Sequence, residues 1–218
     1  MSKALVFDLD GTVLNTLDDI GNACNMALQE HGYPIHPLKA YEQMVGNGFI
    51  VLMIRALPQG EYERLGEESF NELLIYAQHY YAEHMCERTE PYQGIVEALT
   101  SLTHKEVVLA VLSNKPEPMT QKLISHYFPK INFAQVLGGR KDLPLKPDPT
   151  RVLTMLKELN CDPSQSMFIG DSNVDMETAK AANMIPIGVA WGFRGAKELT
   201  KYGAAKLLED PLEIADLA

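Results

Sequence analysis

The sequence predicts an α/β protein: a Rossmann-like doubly wound parallel sheet core with an inserted all-helical cap domain. Three observations predict it. Short apolar runs bounded by turn residues recur along the chain, as in strands buried on both faces. From Pro91 onward these runs alternate with helical stripes, the pattern of parallel β-α units. Between the first run and that alternation lies a stretch with helical periodicity and no strand signal, which reads as an insertion. The expected division is a core of residues 1–14 and 88–218 and a cap of residues 15–87. A chain of 218 residues is long enough for such a core with one smaller insert.

The elements follow in order. Lys3-Ala4-Leu5-Val6-Phe7 is a short buried strand that ends directly in Asp8-Leu9-Asp10-Gly11-Thr12. Thr16 suits a helix N-cap, with Asp18 and Asp19 in the first turn. Leu17, Ile20, Cys24, Ala27 and Leu28 form the helical stripe, and Gly32 stops it. Val45 to Leu57 reads as a glycine-broken turn running into a short helix. Phe70, Leu73, Leu74, Ala77, Tyr80 and Tyr81 mark one side of a long helix and its packing face. Beyond Pro91 come a helix over Ile95–Leu102, a strand over Val107–Leu112, a helix over Met119–Tyr127 and a short strand at Gln135–Leu137. Asp148 with Pro149 makes a favourable helix start. Met167–Ile169 is a buried strand followed by a helix through Ala182, and Ile185–Ala190 is the last clear strand.

Composition narrows the function classes. Apolar residues make up 46% and charged residues 22%, ordinary globular values that exclude disordered and fibrous chains. Asp and Glu total 29 against 19 Lys and Arg, a net charge of −10, which argues against a nucleic acid or an anionic membrane as partner. No apolar run approaches the roughly 18 residues of a membrane span. Ala4–Phe7 is too short for a signal peptide's apolar region, so the expected location is the cytoplasm. Cys24, Cys86 and Cys161 form no CxxC pair, so neither a zinc site nor a disulfide framework is expected. The six histidines likewise show no metal-ligand spacing.

Four polar clusters begin where apolar strands end: Asp8 and Asp10 with Thr12, Ser113-Asn114, Lys146-Pro147, and Gly170-Asp171-Ser172 with Asp175. In a doubly wound sheet all four reach one edge, where ligands bind. Carboxylates converging there need a cation to stay ionised, and a hard ion such as Mg²⁺ suits oxygen ligands and phosphate. Lys146 and the Ser113 hydroxyl offer a positive charge and a donor to a phosphoryl group. A carboxylate beside the metal can attack phosphorus and form an aspartyl-phosphate. The chemistry expected is metal-assisted phosphoryl transfer.

The order and local sequence of these clusters resemble the haloacid dehalogenase superfamily, whose first motif is matched by Asp8-Leu9-Asp10-Gly11-Thr12-Val13. The resemblance implies Asp8 as nucleophile and Asp10 as general acid and base. It implies Ser113 as the phosphoryl-oxygen donor, Lys146 as counter-charge and Mg²⁺ as cofactor. The metal site it implies joins the Asp8 carboxylate, the Asp10 carbonyl and Asp171, with Asp175 as an outer or water-mediated ligand. Ser113 stands where many relatives have Thr; both supply a hydroxyl. Within the superfamily the chain is most similar to the phosphoglycolate phosphatases, through Val45-Gly46-Asn47-Gly48, Arg55-Ala56-Leu57, Pro91-Tyr92-Gln93-Gly94, Ser113-Asn114-Lys115-Pro116, Lys146-Pro147-Asp148-Pro149 and Trp191-Gly192-Phe193.

That similarity implies a small phosphorylated metabolite, 2-phosphoglycolate first, as substrate of a monomer or homodimer. The expected substrate-binding residues are Thr12, Asn114, Gly46, Asn47, Gly48 and Arg55. Pyrophosphate, nucleotide and sugar-phosphate hydrolysis are the alternatives within the superfamily. A non-catalytic phospho-switch is the alternative from another class. Local roles compete at several positions. Gly46 and Gly48 suit a tight turn and Arg55 a helix surface, Asp175 suits a helix capping box, and Lys115 and Arg194 sit on loops that could face the cleft but read first as solvated charges.

Overall fold

A computed structural model describes residues 2–103, 105 and 107–218. The chain forms two compact units, one of Met1–Asn15 with Pro91–Ala218 and one of Thr16–Glu90. In chain order the strands are β1 (Ala4–Phe7), β2 (Leu14–Asn15), β3 (Glu90–Pro91), β4 (Val108–Pro116), β5 (Gln135–Gly139), β6 (Met167–Gly170), β7 (Ile185–Val189) and β8 (Lys206–Leu208). The helices are α1 (Leu17–Glu30), α2 (Phe49–Ala56), α3 (Glu61–His84), α4 (Ile95–Thr103), α5 (Glu117–Tyr127), α6 (Thr150–Glu158), α7 (Asn173–Ala181) and α8 (Gly195–Lys201).

The first unit is a six-stranded sheet in the order β5-β4-β1-β6-β7-β8, with every pairing parallel. The chain builds outward from β1 on one side and then returns to continue from β6 on the other. The reversal between β1 and β6 is the switch point where such sheets bind ligands. All four residues of β1 are buried. Ala4 and Val6 join Ala110, Leu112 and Phe168 in a core cluster with Val152, Met155 and Leu156 of α6 and Ala179 of α7. Leu5, Phe7, Leu109, Val111 and Ile169 alternate to the opposite face and are buried as well.

The second unit is helical. Phe70, Leu73, Leu74, Ala77 and Tyr81 form the buried side of α3, as the apolar spacing predicts. The helix starts earlier than that stripe, at Glu61, and is broken at Gly66, where φ is 76°. Asp19 in the first turn of α1 is buried; its carboxylate accepts the main-chain N–H groups of Arg88 and Thr89. One carboxylate thereby ties the entry of this unit to its exit.

Several elements differ from the sequence reading. β4 runs on past Leu112 to Pro116, and α5 starts at Glu117 rather than Met119. Asp148 accepts from the Thr150 N–H, but α6 begins only at Thr150, with Pro149 just outside. β8 is a three-residue edge strand, too short for a period-two pattern to show.

Candidate active site

Three neighbouring strands deliver three of the four polar clusters; Lys146 lies not at a strand end but on the loop between β5, which ends at Gly139, and α6. Phe7, the last residue of β1, lies level with Val111 of β4 and Ile169 of β6. The next residue in the chain is Asp8, whose N–H continues the ladder to the Ile169 carbonyl at 2.9 Å. Carboxylate oxygens of Asp8, Asp171 and Asp175 lie within 4.8 Å of one another, and all three residues are buried. The Lys146 ammonium reaches in from the loop before α6, 2.9 Å from Asp8 Oδ1 and 2.7 Å from Asp175 Oδ1.

Asp175 is fully buried. Its Oδ2 accepts the Ser172 N–H and O–H, completing the capping box at the start of α7. The local capping role and the contact to Lys146 therefore use different oxygens of one carboxylate. Asp171 Oδ2 accepts the Phe193 N–H at 2.7 Å. Glycines make room for both groups. A Cβ on Gly170 would lie 2.3 Å from Asp175 Cβ, and one on Gly192 would lie 2.2 Å from Asp171 Cβ. At Gly11 a side chain meets Asp171 Oδ2 at 2.2 Å and the backbone is left-handed, with φ of +78°, so glycine is required twice over.

The electrostatics are those of an underneutralised cluster. Burial pushes the Asp8 carboxyl up to about 7; Lys146 opposes the rise, and Asp175 and Asp10 reinforce it. Burial, and then the carboxylates of Asp175 and Asp8, raise Asp171 well above the usual carboxylate range. Burial works against the charge on Lys146, but Asp175 and Asp8 outweigh it and hold the ammonium above its ordinary value. Three buried carboxylates against one ammonium leave a formal excess of two negative charges, which a divalent cation would offset. Asp8 Oδ1 has the Lys146 ammonium beside it at 2.9 Å, and Thr12 Oγ1 is buried with no hydrogen-bond partner among the described residues. An all-oxygen donor set of this kind fits a hard ion such as Mg²⁺.

Asn114 clamps the Lys146 backbone from both sides: its amide donates to the Lys146 carbonyl at 3.0 Å and its oxygen accepts the Lys146 N–H at 2.8 Å. Ser113 Oγ is buried and accepts the Lys115 N–H at 3.2 Å, an arrangement in which its own proton can be donated. Thr12 is buried on the loop after β1, and its carbonyl accepts the Trp191 indole N–H at 3.0 Å.

Lys115 is a correction to the sequence reading. Its side chain is 2% exposed and its ammonium lies 3.1 Å from Asp10 Oδ1, so it is a buried charge and not a solvated one. Arg194 is half-buried and its positive charge acts on Asp171.

Gly46, Asn47, Gly48 and Arg55 belong to the helical unit and form a cluster of their own. Gly46 and Gly48 both have positive φ. Arg55 reaches back from α2 to the Met44 carbonyl and to Asn47 Oδ1, each at 2.8 Å, and so braces the glycine turn.

Fold and site together define a doubly wound α/β protein that gathers carboxylates and a lysine at the switch point of its sheet, in a set that could hold a metal ion. The model of the haloacid dehalogenase-like hydrolases matches residues 5–189. The chain belongs to that family. It is 32% identical over 211 residues to a phosphoglycolate phosphatase of Haemophilus influenzae, covering 95% of this chain and 94% of that protein. Phosphoglycolate phosphatase 1 of Pseudomonas aeruginosa is 30% identical, covering 100% of this chain and 81% of that protein. Among solved structures, a predicted phosphoglycolate phosphatase from Haemophilus somnus superposes with a TM-score of 0.90 at 27% identity, covering 99% of this chain and 97% of that one. Among the described residues, no helix is long and apolar enough to cross a membrane.

Proposed function

We propose that the chain is a Mg²⁺-dependent phosphatase that hydrolyses a small phosphomonoester, 2-phosphoglycolate first, through an aspartyl-phosphate on Asp8. One observation carries this reading: a buried carboxylate, Asp8, sits beside the Lys146 ammonium within a cluster of further carboxylates. The names of the relatives support the substrate.

Asp8 attacks phosphorus as the bond to the leaving oxygen breaks, and Asp10 gives that oxygen its proton. Asp10 then takes a proton from the water that hydrolyses the aspartyl-phosphate, which returns Asp8 and releases phosphate. Lys146 balances the phosphoryl charge, and the Ser113 hydroxyl donates to a phosphoryl oxygen. Asn114 acts through Lys146, by fixing its main chain. The carboxylates of Asp8 and Asp171 and the Asp10 carbonyl would hold Mg²⁺, with Asp175 as an outer or water-mediated ligand, and such an ion would supply phosphoryl polarisation and offset the carboxylate charge. Residues 15–87 are the cap, whose turn at Gly46-Asn47-Gly48 is braced by Arg55.

A Mg²⁺-supplemented panel of phosphometabolites, ranked by kcat/KM, tests the proposal. 2-Phosphoglycolate is expected to lead, and chelation to stop turnover. A sugar phosphate, nucleotide or pyrophosphate in first place rejects the substrate. No phosphate release from any ester rejects the function.

Asp171→Asn is expected to weaken Mg²⁺ binding at least about tenfold, since a hard cation prefers a charged oxygen. The sole tryptophan, Trp191, is tied to the Thr12 carbonyl and provides a fluorescence readout independent of turnover. An unchanged Mg²⁺ titration removes Asp171 from the metal site.

A further inference from the structure

Arg151, in the first turn of α6, is a buried charge that the proposed function does not use. Its side chain is 7% exposed, and one arm of its guanidinium donates to Glu117 Oε2 at 3.0 Å. The other arm donates to the Gly138 carbonyl. Glu117 Oε2 also accepts the Gly138 N–H at 3.3 Å. One guanidinium and one carboxylate therefore hold both main-chain groups of Gly138. Burying a guanidinium is costly unless a carboxylate answers it, and its planar fork suits two acceptors gripped at once.

The contact gains its meaning from what lies between its ends. Residues 140–149 join β5 to α6 without a strand or helix of their own, and Lys146 is among them. The Lys146 ammonium nevertheless stands 2.9 Å from Asp8 and 2.7 Å from Asp175. The junction of β4 and α5 grips this loop at three points. Asn114 holds the Lys146 main chain from both sides. Glu117 holds Gly138, just before the loop, and Arg151, just after it. The intervening Gly139 is packed so closely that a Cβ would lie 2.7 Å from the Asn114 carbonyl oxygen and 3.0 Å from Leu145 Cδ2.

We propose that Arg151 is a positioning residue for Lys146: with Glu117 it staples together the two ends of the 140–149 loop and so keeps the ammonium at the phosphoryl site. This rests on the reading of Lys146 as the counter-charge to the phosphoryl group. A loop whose ends can part spreads its lysine over many positions, and a misplacement on the order of 1 Å at a reacting centre costs up to about 100-fold in rate.

A double-mutant cycle separates this placement from a general loss of structure. The probe is p-nitrophenyl phosphate in saturating Mg²⁺, read as kcat/KM. Arg151→Met keeps an apolar stem and removes the fork. In the wild-type background it is expected to lose roughly 10- to 100-fold. In the Lys146→Met background it is expected to lose no more than about threefold, because the group it positions is already gone. Equal losses in the two backgrounds mean a structural role only and overturn the proposal, as does no loss in wild type. Arg151→Lys, which keeps the charge but not the fork, repeats the cycle should the Met variant fail to fold.

Lys146→Met on its own tells the two readings apart. If it loses turnover while Arg151→Met costs the same with or without Lys146, the Arg151 assignment fails and Lys146 remains the counter-charge. If Lys146→Met keeps its kcat/KM, the reading of Lys146 fails and the Arg151 proposal goes with it.

Discussion

Asp8→Asn is expected to abolish turnover while leaving the protein as stable as before, or more so. An amide cannot attack phosphorus, and loss of a covalent nucleophile costs at least about a thousandfold in rate. The stability half of the expectation comes from the surroundings. Burial and the neighbouring carboxylates of Asp175 and Asp10 disfavour charge on Asp8, so replacing it by a neutral isostere removes repulsion. Lys146 keeps its 2.7 Å partner, Asp175, and is not stranded. Single-turnover kinetics on purified protein and a thermal melt under the same buffer check both halves. A residual rate within about tenfold of wild type would mean that water attacks phosphorus directly. A lower melting temperature would mean that Asp8 is needed as a counter-charge for the fold.

The parts of the molecule legible in the sequence share one physical feature: a buried run of apolar residues ending abruptly in polar ones. Ala4–Phe7 before Asp8, and Met167–Ile169 before Gly170-Asp171, announce both the strand and the edge at which its polar residues emerge. The contact between Lys146 and Asp175 spans 29 positions. That both residues reach one edge of the sheet is legible, because each belongs to a polar cluster after an apolar run, but their pairing is not. The burial of Lys115 is not legible either. A Lys-Pro pair after an apolar run reads as the beginning of a loop, yet the strand continues to Pro116. The overlooked signal is spacing: Ser113 and Lys115 are two apart, so on a continuing strand they share a face. The partner of Lys115, Asp10, lies on the loop after β1, and a tertiary pairing has no local signature. Arg55 shows the same limit on a smaller scale. On α2 it reads as a surface charge, and only the turn of the chain brings Met44 and Asn47 beneath its guanidinium.

Lys146→Met tests the charge balance of the whole cluster, and its effect is expected in stability as well as rate. The ammonium lies between Asp8 and Asp175, and its side chain is 3% exposed. Removing it leaves both carboxylates buried without that counter-charge. Breaking a buried pair on one side costs about 3–5 kcal/mol, which for a chain of this size lowers Tm by roughly 6–20 °C. Asp175 retains the Ser172 N–H and O–H, which places the expected loss toward the lower end. Mg²⁺ should raise the Tm of the variant more than that of wild type, because the cation then meets one more uncompensated charge. Turnover is expected to fall by about two to three orders of magnitude, the scale of losing a preorganised charge at a developing anion. The deficit should persist in saturating Mg²⁺, since a cation held by Asp8 and Asp171 does not replace an ammonium at Asp175. Calorimetry with and without Mg²⁺, together with steady-state rates, decides the matter. An unchanged melting curve would show that the carboxylates do not depend on Lys146 for their charge balance. An unchanged kcat would remove Lys146 from the phosphoryl site.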